Sequence, residues 1–219
     1  MTAFADARRH MVDGQVRPSD VTDLRVISAM QEVPRERFVP PASVSLAYLD
    51  RELAVSEGAG APRRLLKPMV LAKLLNAAEI VPTDRLLVVG CATGYSAAVL
   101  AHMAGQVVAL EQDASLAKAA QAALSSLPNV SVVSGPLVDG WPQGGPYDAI
   151  LLEGATEVEP QAICRQLKDG GRLVCVLGSA PGTTAMLYRR AGEEMGGRPI
   201  FGASATVLPG FVKPPVFAF

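Results

Sequence analysis

This 219-residue chain has only two histidines and three cysteines with which to build a zinc-type or thiol redox centre. His10 and His102 stand far apart. Cys91, Cys164 and Cys175 match neither the spacing of zinc ligands nor a CxxC pair. The reading is therefore of a protein without a metal site, and free cysteines of this kind suit a reducing, cytoplasmic setting. Long apolar runs are also lacking. None reaches the ~18 residues that a membrane span needs, and the opening MTAFADARRHMVDGQ has no signal-peptide core. Nor is there an excess of one charge. The 20 Lys and Arg against 21 Asp and Glu make no electrostatic case for nucleic acid or a membrane surface. What remains is apolar matter. Hydrophobic residues at 49% and charged residues at 19% describe a globular chain. At this length it can form one large domain, burying roughly 70% of its unfolded surface.

The most informative segment runs from Leu86 to Asp113, LLVVGCATGYSAAVLAHMAGQVVALEQD. Leu86–Val89 predicts a short buried strand, Gly90–Gly94 a turn, Tyr95–Met103 an Ala-rich helix, and Gln106–Leu110 a second strand ended by Glu111. An acid at a strand tip about 20 residues past a glycine turn suits a ribose diol, because a carboxylate accepts from both hydroxyls. A dinucleotide fits poorly: the GxGxxG fingerprint needs glycine where Ala92 and Tyr95 stand. Gly90 and Gly94 with a small residue between them look like the turn of S-adenosylmethionine (SAM) methyltransferases. The plainer alternative is a βαβ turn whose glycines serve geometry alone. Cys91 reads as a small residue filling that turn, or as a thiol at a helix start.

Helical spacing marks Phe4–Val16 and Thr22–Val33, and prolines close that unit by Pro41. Ala47–Val55 is expected to be extended, Glu57–Pro62 to be a loop, and Pro68–Ile80 to be a helix with proline in its first turn. Further strands are predicted at Val130–Ser134, Ala149–Leu152 and Arg172–Leu177. Helices are predicted at Ala114–Leu124 and Pro160–Leu167, the latter stopped by Asp169-Gly170-Gly171. Thr184–Arg190 and Arg198–Leu208 would form an edge hairpin, and the Pro-rich tail from Pro209 would pack on the sheet or on a partner. Such alternation implies an α/β fold, a mostly parallel sheet with helices on both faces. Residues 1–80 read as a helical cap with a substrate-side segment, and 81–219 as the cofactor-binding core of one compact unit.

Met11-Val12, Gln15-Val16-Arg17, Arg25-Val26, Ala29-Met30 and Val33-Pro34-Arg35-Glu36-Arg37-Phe38-Val39-Pro40 carry a more specific signal. So do Ala47-Tyr48-Leu49-Asp50 with Leu53, Gly90 to Leu100, Pro146-Tyr147-Asp148-Ala149-Ile150, and Gln166 to Val174. Over about residues 8 to 178 the chain resembles the protein-L-isoaspartate O-methyltransferases. The resemblance implies a Rossmann-like methyltransferase fold and SAM as cofactor, with S-adenosyl-L-homocysteine as product. It also implies a protein or peptide substrate whose damaged isoaspartyl carboxylate is methylated for repair. The alternatives are a methyltransferase for another substrate, such as a small molecule, and a non-catalytic SAM-binding or interaction protein.

Departures from the family pattern define the candidate site. The family's substrate-side Thr and Ser fall on Arg64 and Leu66, so both hydroxyls are gone. Arg63, Arg64 and Lys67 form a cationic group that would grip an anionic substrate, or else face water. The family acid before the glycine turn is Val88 here. Its Gly-Asp-Gly after the third strand is Gly135-Pro136-Leu137. Glu153, where the family carries a small or hydroxyl residue, stands at the predicted fourth strand's tip. It is expected to replace the missing acid against the SAM ammonium, to act as a base toward a neutral nucleophile, or simply to start a helix facing water. Asp148 is expected to order that strand's entry. The cofactor set is then Val88, Gly90, Cys91, Ala92, Gly94, Tyr95, Glu111, Gln112, Pro136, Leu137 and Glu153. The substrate-side set is Arg64, Leu66 and Glu153.

Overall fold

The computed structural model describes residues 3–56, 62–178 and 182–214. Helix α1 (Ala3–Met11) continues into a π-helical turn at Val12–Val16 and a 3₁₀ turn at Arg17–Ser19. Helix α2 (Leu24–Glu32) is capped by Asp23, whose carboxylate accepts from the Arg25 amide at 2.9 Å. Pro34, Pro40 and Pro41 remove amide donors, so only the 3₁₀ turns Arg35–Phe38 and Pro41–Leu46 follow. The extended reading of Ala47–Val55 holds only at its end. Strand β1 (Leu53–Ala54) pairs antiparallel with β2 (Arg64–Leu65), while 47–51 are turns and bends. Most of the loop predicted before Pro62 lies outside the described residues. Helix α3 (Pro68–Ala78) opens on its proline.

The core then alternates: β3 (Arg85–Val89), α4 (Tyr95–Ala101), β4 (Gln106–Glu111), α5 (Ala114–Leu124), β5 (Val130–Ser134), β6 (Tyr147–Thr156), α6 (Gln161–Cys164), β7 (Leu167–Leu177), β8 (Thr184–Ala191) and β9 (Glu194–Gly202). These strands form one sheet in the order β5-β4-β3-β6-β7-β8-β9, parallel from β5 to β7 and antiparallel from β7 to β9. Two predictions need correction. The helix expected over Pro160–Leu167 is the short α6, because fully buried Leu167 pairs with Tyr147 and draws the chain into the sheet. Asp169-Gly170-Gly171 therefore lies within β7 rather than stopping a helix. The last strand is displaced as well. A two-residue turn at Gly192-Glu193 sets the register Ala191↔Glu194, so β9 ends at Gly202. The chain beyond it leaves the sheet edge and crosses back over the strand tips, with Val207 bridging Ala155.

The two sheet faces are covered unequally. One apolar cluster joins α3, α4, α5 and the N-terminal elements, from Met11 to Ala203, so the cap and the sheet share a core. The other face carries α6, Leu137 and the tail residues Leu208 and Phe211. Arg172 fastens α3 to the sheet. Its guanidinium donates to the carbonyls of Ala78, Glu79 and Asp148 and pairs with Asp84 at 2.5 Å, all at the end of the sheet away from the glycine turn. Asp148 accepts from the Arg85 amide at 2.8 Å, which does order the entry of β6 beside β3. Among the described residues no helix is long and apolar enough to cross a membrane.

Candidate cofactor crevice

The sheet order reverses at β3, since β4 and β6 lie on its two sides. In open α/β sheets such a reversal leaves a crevice at the carboxyl ends of the strands. Here an acid lies on each side of it. Val89 pairs with Leu110 on one side and with Leu152 on the other. One residue further along, β3 reaches Gly90, β4 reaches Glu111 and β6 reaches Glu153. The glycine turn is thus flanked by two carboxylates, both buried.

Glu111 is saturated. Its Oε1 accepts from the amides of Gln112 at 2.9 Å and Asp113 at 3.2 Å. Its Oε2 accepts from the Ala92 amide at 2.8 Å and from Arg63 Nη2 at 2.9 Å. The same Arg63 nitrogen donates to the Gly90 carbonyl at 2.8 Å. Arg63 is 7% exposed, so it is neither a solvated loop cation nor turned toward an external substrate. A methyl group placed on Gly90 would meet Arg63 Nη2 at 2.7 Å and Leu208 Cδ2 at 3.0 Å. The guanidinium and the tail leucine therefore lie directly over the turn.

Glu153 is the opposite case. It is 1% exposed, which excludes a helix-start acid facing water. Oε2 accepts from the Ser96 hydroxyl of α4, while Oε1 has no partner among the described residues. Burial outweighs the Ser96 hydrogen bond and the fields of Arg63 and Arg35, and raises the carboxyl pKa to about 8. With no cofactor ammonium beside it, Glu153 is thus mostly protonated at neutral pH.

The turn itself is shaped for close approach. Gly90 and Gly94 adopt positive φ (78° and 97°), and Ala92 does so too at 51°. A left-handed alanine is strained by roughly 1–2 kcal/mol. The Ala92 amide recovers part of that through Glu111. The Thr93 hydroxyl donates to the Phe38 carbonyl at 2.6 Å and ties the turn to the cap.

The remaining sequence-predicted residues divide into two groups. Gln112 and Pro136 are exposed at the rim on the β4–β5 side, and Leu137 is buried there beside Gly90. Val88, Cys91 and Tyr95 point into the core. Burial raises the Cys91 thiol pKa well above its ordinary range, so it is no reactive thiolate. The Tyr95 ring stacks edge-on with Phe38 and lies 4.6 Å beneath the Arg35 guanidinium. On the substrate side, Arg64 is half-buried in β2. Leu66 is 1% exposed, its carbonyl held at 2.8 Å by Arg35 Nη2. Arg35, fully buried, also donates to the Ala47 carbonyl at 2.9 Å.

Sequence reasoning missed three parts of this arrangement. Arg35 was visible only as a letter in a motif, between Pro34 and Glu36. Ser96, polar within an Ala-rich helix, was a readable signal. For the inward course of Arg63 there was no local signal.

The profile of the "Protein-L-isoaspartate(D-aspartate) O-methyltransferase (PCMT)" family matches residues 7–198. A protein-L-isoaspartate O-methyltransferase of Methylorubrum extorquens is 40% identical over 191 residues, covering 87% of this chain and 82% of the relative. One from Gloeobacter violaceus is 42% identical over 171 residues, 77% of this chain and 82% of the relative. Among solved structures, a protein-L-isoaspartate O-methyltransferase superposes with a TM-score of 0.82 at 23% identity, over 93% of this chain and 66% of that one. A Plasmodium falciparum structure, described as a putative protein-L-isoaspartate O-methyltransferase in complex with S-adenosyl-L-homocysteine, gives 0.74 at 17% identity. It covers 92% of this chain and 97% of that one. At those identities the two structures speak to the fold alone.

Proposed function

The chain belongs to the protein-L-isoaspartate(D-aspartate) O-methyltransferase family, and from that premise we propose that it is a SAM-dependent O-methyltransferase acting on isoaspartyl carboxylates of proteins or peptides. The observation that carries the reading is the strand-tip carboxylate of Glu111, held at 2.8 Å against the amide of Ala92 in the glycine turn. The relatives' names give no support to a small-molecule substrate.

The residues present fit the cofactor. Glu111 is the acceptor for its ribose hydroxyls, and Gly90, Ala92 and Gly94 let the protein backbone approach its methionine moiety. Gln112, Pro136 and Leu137 lie on the adenine side. Glu153 Oε1, buried without a partner, is the acceptor a bound ammonium would satisfy. When bound, SAM supplies an electrophilic methyl group: an O–CH₃ bond forms as the S–CH₃ bond breaks, and the sulfonium becomes a neutral thioether. The protein's part is modest in kind. A carboxylate substrate has a pKa near 4 and arrives ionised, so no general base is required and positioning dominates. Leu66 offers no hydroxyl to that carboxylate. Losing one hydrogen bond to a charged group is worth ~1–3 kcal/mol, or roughly 5- to 150-fold in rate. The reading therefore entails a slow enzyme rather than an inert one.

A methyl-transfer assay with radiolabelled SAM and an isoaspartyl peptide, beside the same peptide with ordinary aspartate, tests it. Base-labile methyl ester confined to the isoaspartyl peptide is the expected result. SAM binding without any ester on either peptide would overturn the substrate assignment.

A further inference from the structure

The ribose acceptor of this crevice is already engaged by the protein's own cation. Arg63 Nη2 bridges Glu111 Oε2 and the Gly90 carbonyl at 2.9 and 2.8 Å, and it lies 2.7 Å from where a Cβ on Gly90 would stand. The ion pair is well sheltered, with side-chain exposures of 8% for Arg63 and 0% for Glu111. Glu111 Oε2 also accepts from Ala92, so it cannot hold the guanidinium, the amide and a ribose hydroxyl together without crowding. Arg63 has a second attachment. Its backbone lies against the strand of β1: the Val55 amide donates to the Arg63 carbonyl at 2.9 Å, and the Arg63 amide donates to the Ser56 hydroxyl at 2.8 Å. The next residues, Arg64 to Leu66, form the substrate side.

We propose that Arg63 is a latch: its guanidinium and the cofactor's ribose compete for Glu111, and the cofactor enters as the guanidinium leaves. This rests on the SAM-binding reading above and adds a regulated order to it. The free protein holds the crevice shut by an internal ion pair. Cofactor binding breaks the pair and releases the Arg63 side chain from the crevice to the segment that carries Arg64 and Leu66. Occupancy of the cofactor site is thereby communicated to the substrate side. Competition of this kind lowers apparent affinity by the stability of the closed state.

Calorimetric titration of S-adenosyl-L-homocysteine into wild type, Arg63→Ala and Arg63→Gln tests the latch without any turnover. Glu111 keeps its three backbone donors in both variants, and the glutamine removes the charge while keeping a shorter polar side chain. With the latch removed, S-adenosyl-L-homocysteine binds about tenfold tighter, as expected for loss of one charged hydrogen bond from the closed state. Thermal melting supplies the control against a merely structural role. The apo variants melt below apo wild type, whereas all three proteins saturated with S-adenosyl-L-homocysteine melt together. Wild-type binding with unchanged or weaker affinity in both variants would overturn the latch and leave the SAM reading standing. Absence of binding to all three proteins would overturn both.

Discussion

Glu111 and Glu153 stand on either side of one glycine, on the strands β4 and β6 that flank β3 and at the same level of the sheet, yet their surroundings differ. Glu111 accepts from three backbone amides and a guanidinium. Glu153 accepts from one hydroxyl and leaves an oxygen unpaired. Both are buried, so burial alone does not decide a carboxyl's state. Donors do. A buried carboxylate is tolerated where N–H groups converge on it, and is driven toward the neutral acid where they do not. Glu111 ends β4 at a turn whose amides point back at it, whereas Glu153 lies within β6, which runs on to Thr156 rather than ending at Leu152 as expected, and takes its hydrogen bond from Ser96 in the first turn of α4.

The contrast can be broken most severely at Glu111. Glu111→Ala leaves the Arg63 guanidinium buried with a single carbonyl and strips the acceptor from three amides. A loss of ~3–5 kcal/mol is expected, read as a fall in Tm of roughly 10 °C. Adding Arg63→Leu should restore part of that loss, because the orphaned charge goes with it. A double variant no more stable than Glu111→Ala would show that the ion pair contributes nothing beyond the amides.

Glu153→Gln should act in the opposite direction. The folded-state pKa of Glu153, about 8, lies above its ordinary value of 4.5. Its contribution to stability is therefore fully present below about pH 4.5 and is lost as pH rises through about 8. Each pH unit of that window is worth about 1.4 kcal/mol, so an uncharged glutamine should stabilise the protein by up to a few kcal/mol near pH 8 and by little near pH 5. Melting curves across this range check it. A gain independent of pH would show that ionisation of Glu153 is not the cause. The same residue predicts proton release when SAM binds, since an ammonium beside Glu153 favours the ionised form. Roughly one proton should leave near pH 7, visible as a buffer-dependent binding enthalpy. Glu153→Gln should abolish that dependence, and a persisting dependence would assign the proton elsewhere.

The smallest effect belongs to the turn between the two acids. Ala92 at φ 51° should yield to glycine with a gain of up to ~1 kcal/mol, because relief of left-handed strain slightly exceeds the added chain entropy. Chemical denaturation resolves such a change, and a clear loss of stability would mean that the Ala92 methyl group packs usefully.

Much of the fold was legible along the chain. The strands at β3, β4 and β5 and the helix α5 follow local periodicity and caps, and Asp113 heads α5 by accepting from the amides of Ser115 and Leu116. Legibility failed where tertiary pairing competed with local preference. Leu167 entered the sheet against a helical pattern, and the register of the β8–β9 hairpin moved the last strand. In the site, the positions of Gly90, Ala92, Gly94 and Glu111 could be named from spacing. The partners could not. Arg63 lies 48 residues from Glu111, and Ser96 lies 57 from Glu153.

By itself, then, the sequence determined the family, the alternating core and the turn with an acid at the adjacent strand tip, because these depend on residues close together in the chain. Only the tertiary structure decided that Arg63 turns inward onto Glu111, that Arg35 is buried within the N-terminal cap, and that burial raises the Glu153 carboxyl pKa. Protonation and ion pairing depend on desolvation and on the donors that converge at a point in space, and no local pattern encodes either.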